Sequence, residues 1–560
     1  MQSNTANDRR DGSCRSLQSV TGRVTAWPTL ACLLGLLAMS ITACGCTSVS
    51  DYIHNGFKVG PNYGRPPAPV AKDWIDADDM RVRKDSDDLS KWWTVFHDPV
   101  LESLICYAYQ QNLSLRVAGF RVLEARAQTL IDVGNLFPQG QSASGDYART
   151  GLSRETANPL SGGAKRWFGQ WNYGFNLSWE LDFWGRFRRA VESDLATLDA
   201  SVENYDDVLV TLLGDVATNY TLYRTTELRI KYARENVELQ RKTLQIVQGQ
   251  FKVGIVRELD VIQARSTLEQ TEAGIPELEI ALRQTANLLC ILLGIPPEDL
   301  QARLGAGAIP TAPPDVAVGV PADLLRRRPD VRRAERQAAA QCAQIGIAEA
   351  EFYPHIAING TIGYSAENFK NLFREQALAG SVGPAFTWNI LNYGRLVNNV
   401  RLQDARFQEL VATYQNTVLS AAQDVENGLV TFLRAQQRTK LQAASVADAD
   451  QAAKIAVAQY AAGTTDLTRV TQLEQNLVLL EDTLAQAQGE IATGLIQVYR
   501  ALGGGWQIRC TGCEPGPLPP AKAAGEPEKL PAPLPGVKTL PGSVTPPASA
   551  PAGAPKQGGS

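Results

Sequence analysis

Two hydrophobic periods alternate along this chain, and each occurs twice. From Trp171 the odd positions read Trp171, Tyr173, Phe175, Leu177, Trp179 and Leu181, while the even ones read Gln170, Asn172, Gly174, Asn176, Ser178 and Glu180. A two-residue period of this kind predicts a strand with one aromatic and one polar face. Ile356, Ile358, Ile362 and Tyr364 alternate in the same way with Ala357, Asn359, Thr361 and Gly363. So do Val382, Phe386, Trp388 and Ile390 with Ser381, Ala385, Thr387 and Asn389. A further strand, about Gln141 to Arg149, is less clean and is inferred mainly from the repeat. Each half therefore inserts a β-hairpin, at about 139–182 and about 355–391.

After each hairpin the period changes. Asp182-Phe183-Trp184-Gly185-Arg186 opens a run of about sixty residues without proline, ending near Gln250-Phe251-Lys252-Val253-Gly254. Leu391-Asn392-Tyr393-Gly394-Arg395 opens a second, ending at Gln459-Tyr460-Ala461-Ala462-Gly463. Gly185 and Gly394, Gly254 and Gly463, and Gly294 and Gly503 are all 209 residues apart, an internal duplication without gaps. A helix from Arg186 to Gln248 would be roughly 95 Å long at about 1.5 Å per residue. Such segments must pack lengthwise as a bundle or coiled coil. Before the hairpins, helices are expected over Leu113–Phe137, stopped by Pro138, and Pro329–Tyr353, stopped by Pro354. Those prolines are 216 apart, so the second half is seven residues shorter between its proline and its Gly-Arg. Pro276 has no counterpart, since Ala485 stands there, and a kink is expected in the first return helix. Asp98 as N-cap with Pro99 at the first position starts an earlier helix, continued by Leu101, Leu104, Ile105 and Ala108 to a joint at Asn112. Val59–Tyr63 and the proline-rich Arg65–Pro69 should be extended, and Asp78–Asp88 a charged linker.

The ends carry different signals. Arg23 precedes an apolar run, Leu30–Met39, too short to span a membrane comfortably, which closes in Ile41-Thr42-Ala43-Cys44. This resembles a bacterial lipoprotein box with Cys44 as the lipidated first residue. Gly45 follows, not the aspartate that would mark inner-membrane retention. Glu514–Ser560 is rich in Pro, Ala and Gly and is expected to be a flexible tail. The resulting division is 1–43 lipoprotein signal peptide, 44–98 extended segment and linker, 99–294 first repeat, 295–317 inter-repeat linker, 318–505 second repeat and 506–560 tail.

Composition narrows the chemistry. The net charge of −4 gives no global basic signal, and the three histidines, His54, His97 and His355, form no ligand-like cluster. No nucleophile–base set stands out, and no cofactor is expected beyond a covalent lipid on Cys44. Arg326, Arg327, Arg328, Arg332, Arg333 and Arg336 could suggest nucleic acid. Asp330 and Glu335 at helical spacing favour a salt-bridged helix start instead. Cys106, Cys290 and Cys342 fall among Ala and Leu and read as buried small apolar residues. Cys510 and Cys513 form a lone CxxC with no second pair for zinc; a local disulfide between them stays open.

Strands with an aromatic outward face and a polar inward face suit a transmembrane barrel. Backbone groups in lipid must all be paired, so a barrel must close, and four strands cannot. Two chains would supply eight strands and three would supply twelve.

Several motifs in order carry a family resemblance. They are Val59-Gly60-Pro61-Asn62-Tyr63, Trp92-Trp93 with Phe96 and Asp98-Pro99, Leu324–Val331, Ala334-Glu335-Arg336, and Ile345–Ala348 with Phe352-Tyr353-Pro354. Over about Cys44 to Gly505 the chain resembles the TolC/OprM outer-membrane efflux channels, and more narrowly the NodT-type lipoproteins of RND efflux systems. The resemblance implies an α+β membrane protein, a homotrimer whose 12-stranded outer-membrane barrel continues as a long helical tunnel through the periplasm. It implies a periplasmic adaptor and an inner-membrane RND pump as partners, contact with outer-membrane lipid, and no nucleic acid. The expected function is a passive conduit exporting drugs or other small molecules. The alternatives are the duct of a type I protein-secretion system and a non-conducting envelope scaffold. In the family, glycine turns form the tip that meets the adaptor, which points to Val253, Gly254, Ile255, Ala462, Gly463 and Thr464. The family's return helix often reads Leu-Asp-Ala-Gln-Arg, its carboxylate ringing the closed end. Here Gln472 replaces that aspartate, as Gln263 does in the first half, with Asp260, Asp466 and Glu474 nearby. The expectation is a constriction held by amides, with weaker cation selectivity than an aspartate ring.

Overall fold

The duplication in sequence is a duplication of elements. A computed structural model describes residues 48–85, 88–153, 155 and 165–513; Cys44, the signal segment and Glu514–Ser560 lie outside them. The first half comprises α1 (Pro99–Gln111), α2 (Leu113–Gly134), β1 (Gly140–Gly151), β2 (Trp167–Leu181), α3 (Arg186–Lys252) and α4 (Glu258–Leu292). The second comprises α5 (Pro329–Ala350), β3 (His355–Ala366), β4 (Leu378–Thr387), α6 (Arg395–Ala461) and α7 (Leu467–Ala501). Helices α3 and α6 have 67 residues each, and α4 and α7 have 35 each, so the 209-residue offset holds at both ends of both pairs. At about 1.5 Å per residue, α3 and α6 are each roughly 100 Å long. Helix α4 runs on through Pro276.

Local chemistry accounts for the joints. Asp98 caps α1 by accepting from the backbone N–H of Val100 (2.9 Å) and Leu101 (3.1 Å). Asn112 ends α1 and caps α2 through the N–H of Leu115, while its amide donates to the Leu292 carbonyl at the end of α4. Asp182 starts α3, accepting from the N–H of Phe187 and Arg188, each at 3.0 Å. Arg189, fully buried, then donates to the carbonyls of Val59 (3.0 Å) and Gly60 (2.9 Å), and Arg188 to those of Gly56 and Phe57 (2.7 Å each). These arginines strap the Gly56–Gly60 segment onto the first half. At the matching places in α6 stand Val397 and Asn398, so the duplication departs where the strap lies.

Two stretches differ from expectation. The charged linker Asp78–Asp88 contains Val82–Arg83, which pairs in parallel with Val316–Ala317 of the inter-repeat linker. Residues Leu89–Phe96 form a 3₁₀ segment that buries Trp92 and Trp93 before α1 begins.

The four strands make one antiparallel sheet in chain order, β1-β2-β3-β4. The register collects side chains by class. Phe175 lies opposite Ile362, and Tyr173 opposite Tyr364, on one face. On the other, Asn176 lies between Ser142 and Thr361, and Asn172 between Asp146 and Ser365. The polar face is cross-linked, with Asn172 donating to Asp146 (3.0 Å), Ser178 to Asn359 (2.9 Å), and Thr361 bonded to Ser381 (3.0 Å). The apolar face is bare: Phe175 is 54%, Ile362 57% and Val382 78% exposed. Trp388 and Ile390, expected to prolong β4, lie beyond its end, and the Trp388 indole donates to the Phe352 carbonyl.

The main core sits midway, where α1, α3, α6 and α7 meet around Trp92, Trp93, Leu213, Tyr220, Phe432 and Leu495. Trp92 stacks on Tyr499 with centroids 5.6 Å apart. The C-terminal segment joins this core, which corrects the expected tail boundary at 506. Ile508 is buried, Arg509 forms a bidentate pair with Asp206 (2.7 and 3.0 Å), and the Arg332 guanidinium lies 4.7 Å from the centre of the Trp506 ring. Cys513 is thereby carried to Cys106 of α1, and the two form a disulfide 407 residues apart in sequence. Cys106 is therefore not merely a small apolar residue, and the CxxC is not bonded locally: Cys510 is a free, exposed thiol. Cys290 and Cys342 are buried thiols, as expected. Among the described residues, all six arginines of the cluster but the exposed Arg326 form ion pairs within the chain. Arg328 pairs with Asp330 (2.7 Å) and Asp424 (3.1 Å), Arg332 with Glu203 (2.7 Å), and Arg333 with Asp207 (2.8 Å).

Candidate functional site

At the end remote from the sheet, each long helix stops at a glycine in the left-handed region, Gly254 at φ +77° and Gly463 at φ +74°. The closing hydrogen bonds are the same at both. The N–H of Ile255 reaches the Gln250 carbonyl (2.9 Å), and that of Thr464 the Gln459 carbonyl (2.9 Å), a Schellman-type ending that satisfies otherwise orphaned carbonyls. Val253 and Ile255 are each 70% exposed, and Ala462, Gly463 and Thr464 are exposed beside them. All six tip residues thus present a small, bare apolar surface on two turns of matching geometry.

The two tips are held together. Val247 and Val261 of the first hairpin pack with Tyr460, Leu467 and Val470 of the second. The Gln263 amide donates to the Thr471 hydroxyl (3.3 Å), which commits the first-half glutamine to this contact. Each return helix begins with a backbone N–H held by a carboxylate. Asp260 reaches back to the N–H of Arg257 (2.9 Å), and Asp466 accepts from that of Arg469 (2.8 Å). Arg257 and Asp466 are equivalent in the duplication, as are Asp260 and Arg469, so the arginine and the aspartate exchange places between halves.

The gate candidates separate by burial. Gln472 is exposed, Asp466 exposed and Asp260 half-buried. Glu474 is turned into the chain's own interior, 1% exposed, and accepts from the Thr243 hydroxyl of α3 at 2.5 Å. Burial pushes its carboxyl above the usual range, partly offset by that hydroxyl. One heptad along, Glu481 accepts from Asn236, and burial raises its carboxyl too. Thr243 and Asn236 are likewise seven apart, so two polar rungs one heptad apart tie α3 to α7. The Arg229–Asp482 pair (2.6 Å) adds a third link. These links were missed in the sequence, where the shared seven-residue spacing was the available signal.

Helices near the sheet lie side by side in the order α2-α3-α5-α6, and those towards the tips in the order α4-α3-α7-α6. Among the described residues neither layer closes on itself. Among the described residues no helix is long and apolar enough to cross a membrane.

Comparison with known proteins agrees with this geometry. The sequence profile described as "Outer membrane efflux protein" matches residues 104–295 and 320–504, one block per repeat. The chain is 29% identical over 459 residues to nodulation protein T of Rhizobium leguminosarum bv. trifolii, covering 81% of this chain and 95% of that one. It is 31% identical over 422 residues to the pyoverdine export outer membrane protein OpmQ of Pseudomonas putida, covering 74% and 88%. Among solved structures it is similar to the outer-membrane channel OprN, with TM-score 0.74 and 32% identity over 80% of this chain and 99% of that one. With both repeats matched and the fold shared along nearly all of a solved channel, this chain belongs to the outer membrane efflux protein family, whose place is the outer membrane.

Proposed function

We propose that three copies of this chain close into an outer-membrane conduit that exports small molecules from the periplasm as part of a tripartite RND-type efflux system. The observation that carries this reading is the matched openness of both layers. The sheet ends in two strands, β1 and β4, each paired on one side only. The helix layer beneath it ends in α2 and α6, in the same order. Unpaired strand edges are not tolerated in lipid, so both layers are completed together by further copies arranged in a ring. Leu113, Val117, Phe120 and Leu123 leave an exposed apolar stripe on the outer helix α2, suited to burial against a neighbour. Three chains give twelve strands, within the range of known barrels. The bare sheet face then meets lipid and the cross-linked polar face lines water. The paired tips are read as the adaptor-contacting end, Gln472 as the pore-facing member of the gate set, and Cys44 as the lipid anchor.

Native mass spectrometry of the detergent-solubilised protein, combined with planar-bilayer recording, tests this. A three-chain species with stable conductance is expected. A monomer, or a trimer that does not conduct, would remove the reading in favour of an envelope scaffold. Replacing Cys44 with Ser should abolish labelling by a fatty-acid probe, and persistent label would remove the anchor.

A further inference from the structure

A groove of about 680 Å³ lies on the helix layer near the sheet, and residues from all four of α2, α3, α5 and α6 line it. Neighbouring helices pack about 8–10 Å apart, so in a flat layer the outer two would stand roughly 25–30 Å from each other. One groove of this size can touch both only where the layer curves around it. The groove is therefore on the concave face, which becomes the inner wall of the ring under the conduit reading proposed above.

The charge on that face is one-sided. Arg121 reaches in from α2, Arg333 from α5 and Arg406 from α6, and no Asp or Glu is among the lining residues. Arg333 is neutralised by Asp207 at 2.8 Å and also donates to Asn204. Arg121 and Arg406 are exposed, and among the described residues neither makes an ion pair. Three other acids of α3 are committed to arginines outside the lining: Asp199 meets Arg336, Glu203 meets Arg332 and Asp206 meets Arg509. Between the arginines the wall is neutral and fixed in place. The Gln341 amide donates to Gln403 (2.8 Å), and that of Gln344 to Ser193 (2.9 Å).

The geometry points to an anion-favouring girdle on the inner wall of the conduit, formed by Arg121 and Arg406, that takes organic solutes bearing carboxylate or sulfonate groups. Guanidinium groups bind such oxyanions through paired N–H donors, and a concave wall focuses their field on the passing solute. The amides and hydroxyls between them hydrogen-bond the neutral parts of a solute without adding charge. In a ring of three, the unpaired arginines recur around the wall.

The test uses the full-length solubilised protein and the trisulfonated dye pyranine, with fluorescence anisotropy reporting binding. Saturable binding that weakens as salt rises is expected. R121Q/R406Q should bind about tenfold more weakly, and R121K/R406K should retain most of the affinity. Both positions are exposed, so the core is untouched, and circular dichroism checks that the variants fold. If the double glutamine variant does not fold, R406Q alone carries the comparison. Equal binding by wild type and glutamine variant, or no binding by wild type, would overturn the girdle. Planar-bilayer conductance separates the two readings. A protein that conducts but ignores pyranine keeps the conduit and loses the girdle, whereas one that never conducts loses the conduit.

Discussion

Glu474 lies two residues from Gln472, yet one side chain faces the interior of the chain and the other solvent. That difference sets opposite expectations for the two. The folded chain raises the carboxyl of Glu474 above its unfolded value, so folding binds a proton more tightly than unfolding does. Stability then falls as pH rises through the unfolded value of 4.5 and levels off once the folded value is passed. Glu474→Gln keeps an acceptor for Thr243 and removes the buried charge. It should raise the melting temperature at neutral pH and lose that advantage in acid. Circular dichroism melts at the two pH values check this, and an equal shift at both would contradict it. For Gln472→Asp, greater cation selectivity or divalent-ion block in bilayer recordings is the expected outcome. An unchanged reversal potential and no block would place Gln472 away from the pore. Sequence could nominate both residues but not orient them, because the partner that draws Glu474 inward, Thr243, is 231 residues away.

At the scale of elements, small residues decide how closely the helices approach. A Cβ on Gly494 of α7 would stand 2.9 Å from the backbone nitrogen of Phe432 in α6 and 3.1 Å from its Cα. Because the obstruction is backbone, Gly494→Ala should destabilise the fold by about 1–3 kcal/mol, read from a chemical denaturation midpoint. The tip glycines have open space around them, so bulk there meets no neighbour, and the cost is the left-handed backbone, about 1–2 kcal/mol at each turn. Gly254→Trp with Gly463→Trp should impair drug efflux while assembly stays normal, and normal efflux would count against adaptor contact at these turns. Most elements were legible beforehand. The 209-residue offset gave helix pairs of equal length, and strict alternation located β2 and β3. The Val82–Arg83 pairing with Val316–Ala317 was not legible, since two-residue strands are too short to show a period. Nor was the end of β4, where alternation runs on through Trp388 and Ile390 but their side chains turn to other contacts.

For the molecule as a whole, the C-terminal segment is the main departure from what composition implied. The order of Trp506–Cys513 comes from the buried Ile508 and from Asp206, Arg332 and Cys106, all distant in sequence. Cys106→Ser or Cys513→Ser should cost about 2–4 kcal/mol of stability, and reducing agent should lower the denaturation midpoint of the native chain by a similar amount. Peptide mapping without reduction should recover Cys106 joined to Cys513, with Cys510 alkylated as a free thiol. The wide separation of the bonded cysteines has a consequence for biogenesis. During export, Cys106 emerges early and its partner almost last, after nearly every structural element has crossed. The bond can form only on a chain that carries both repeats through to residue 513. Any product that stops before Cys513 lacks this bond, so the Cys106–Cys513 linkage marks a chain that carries both repeats.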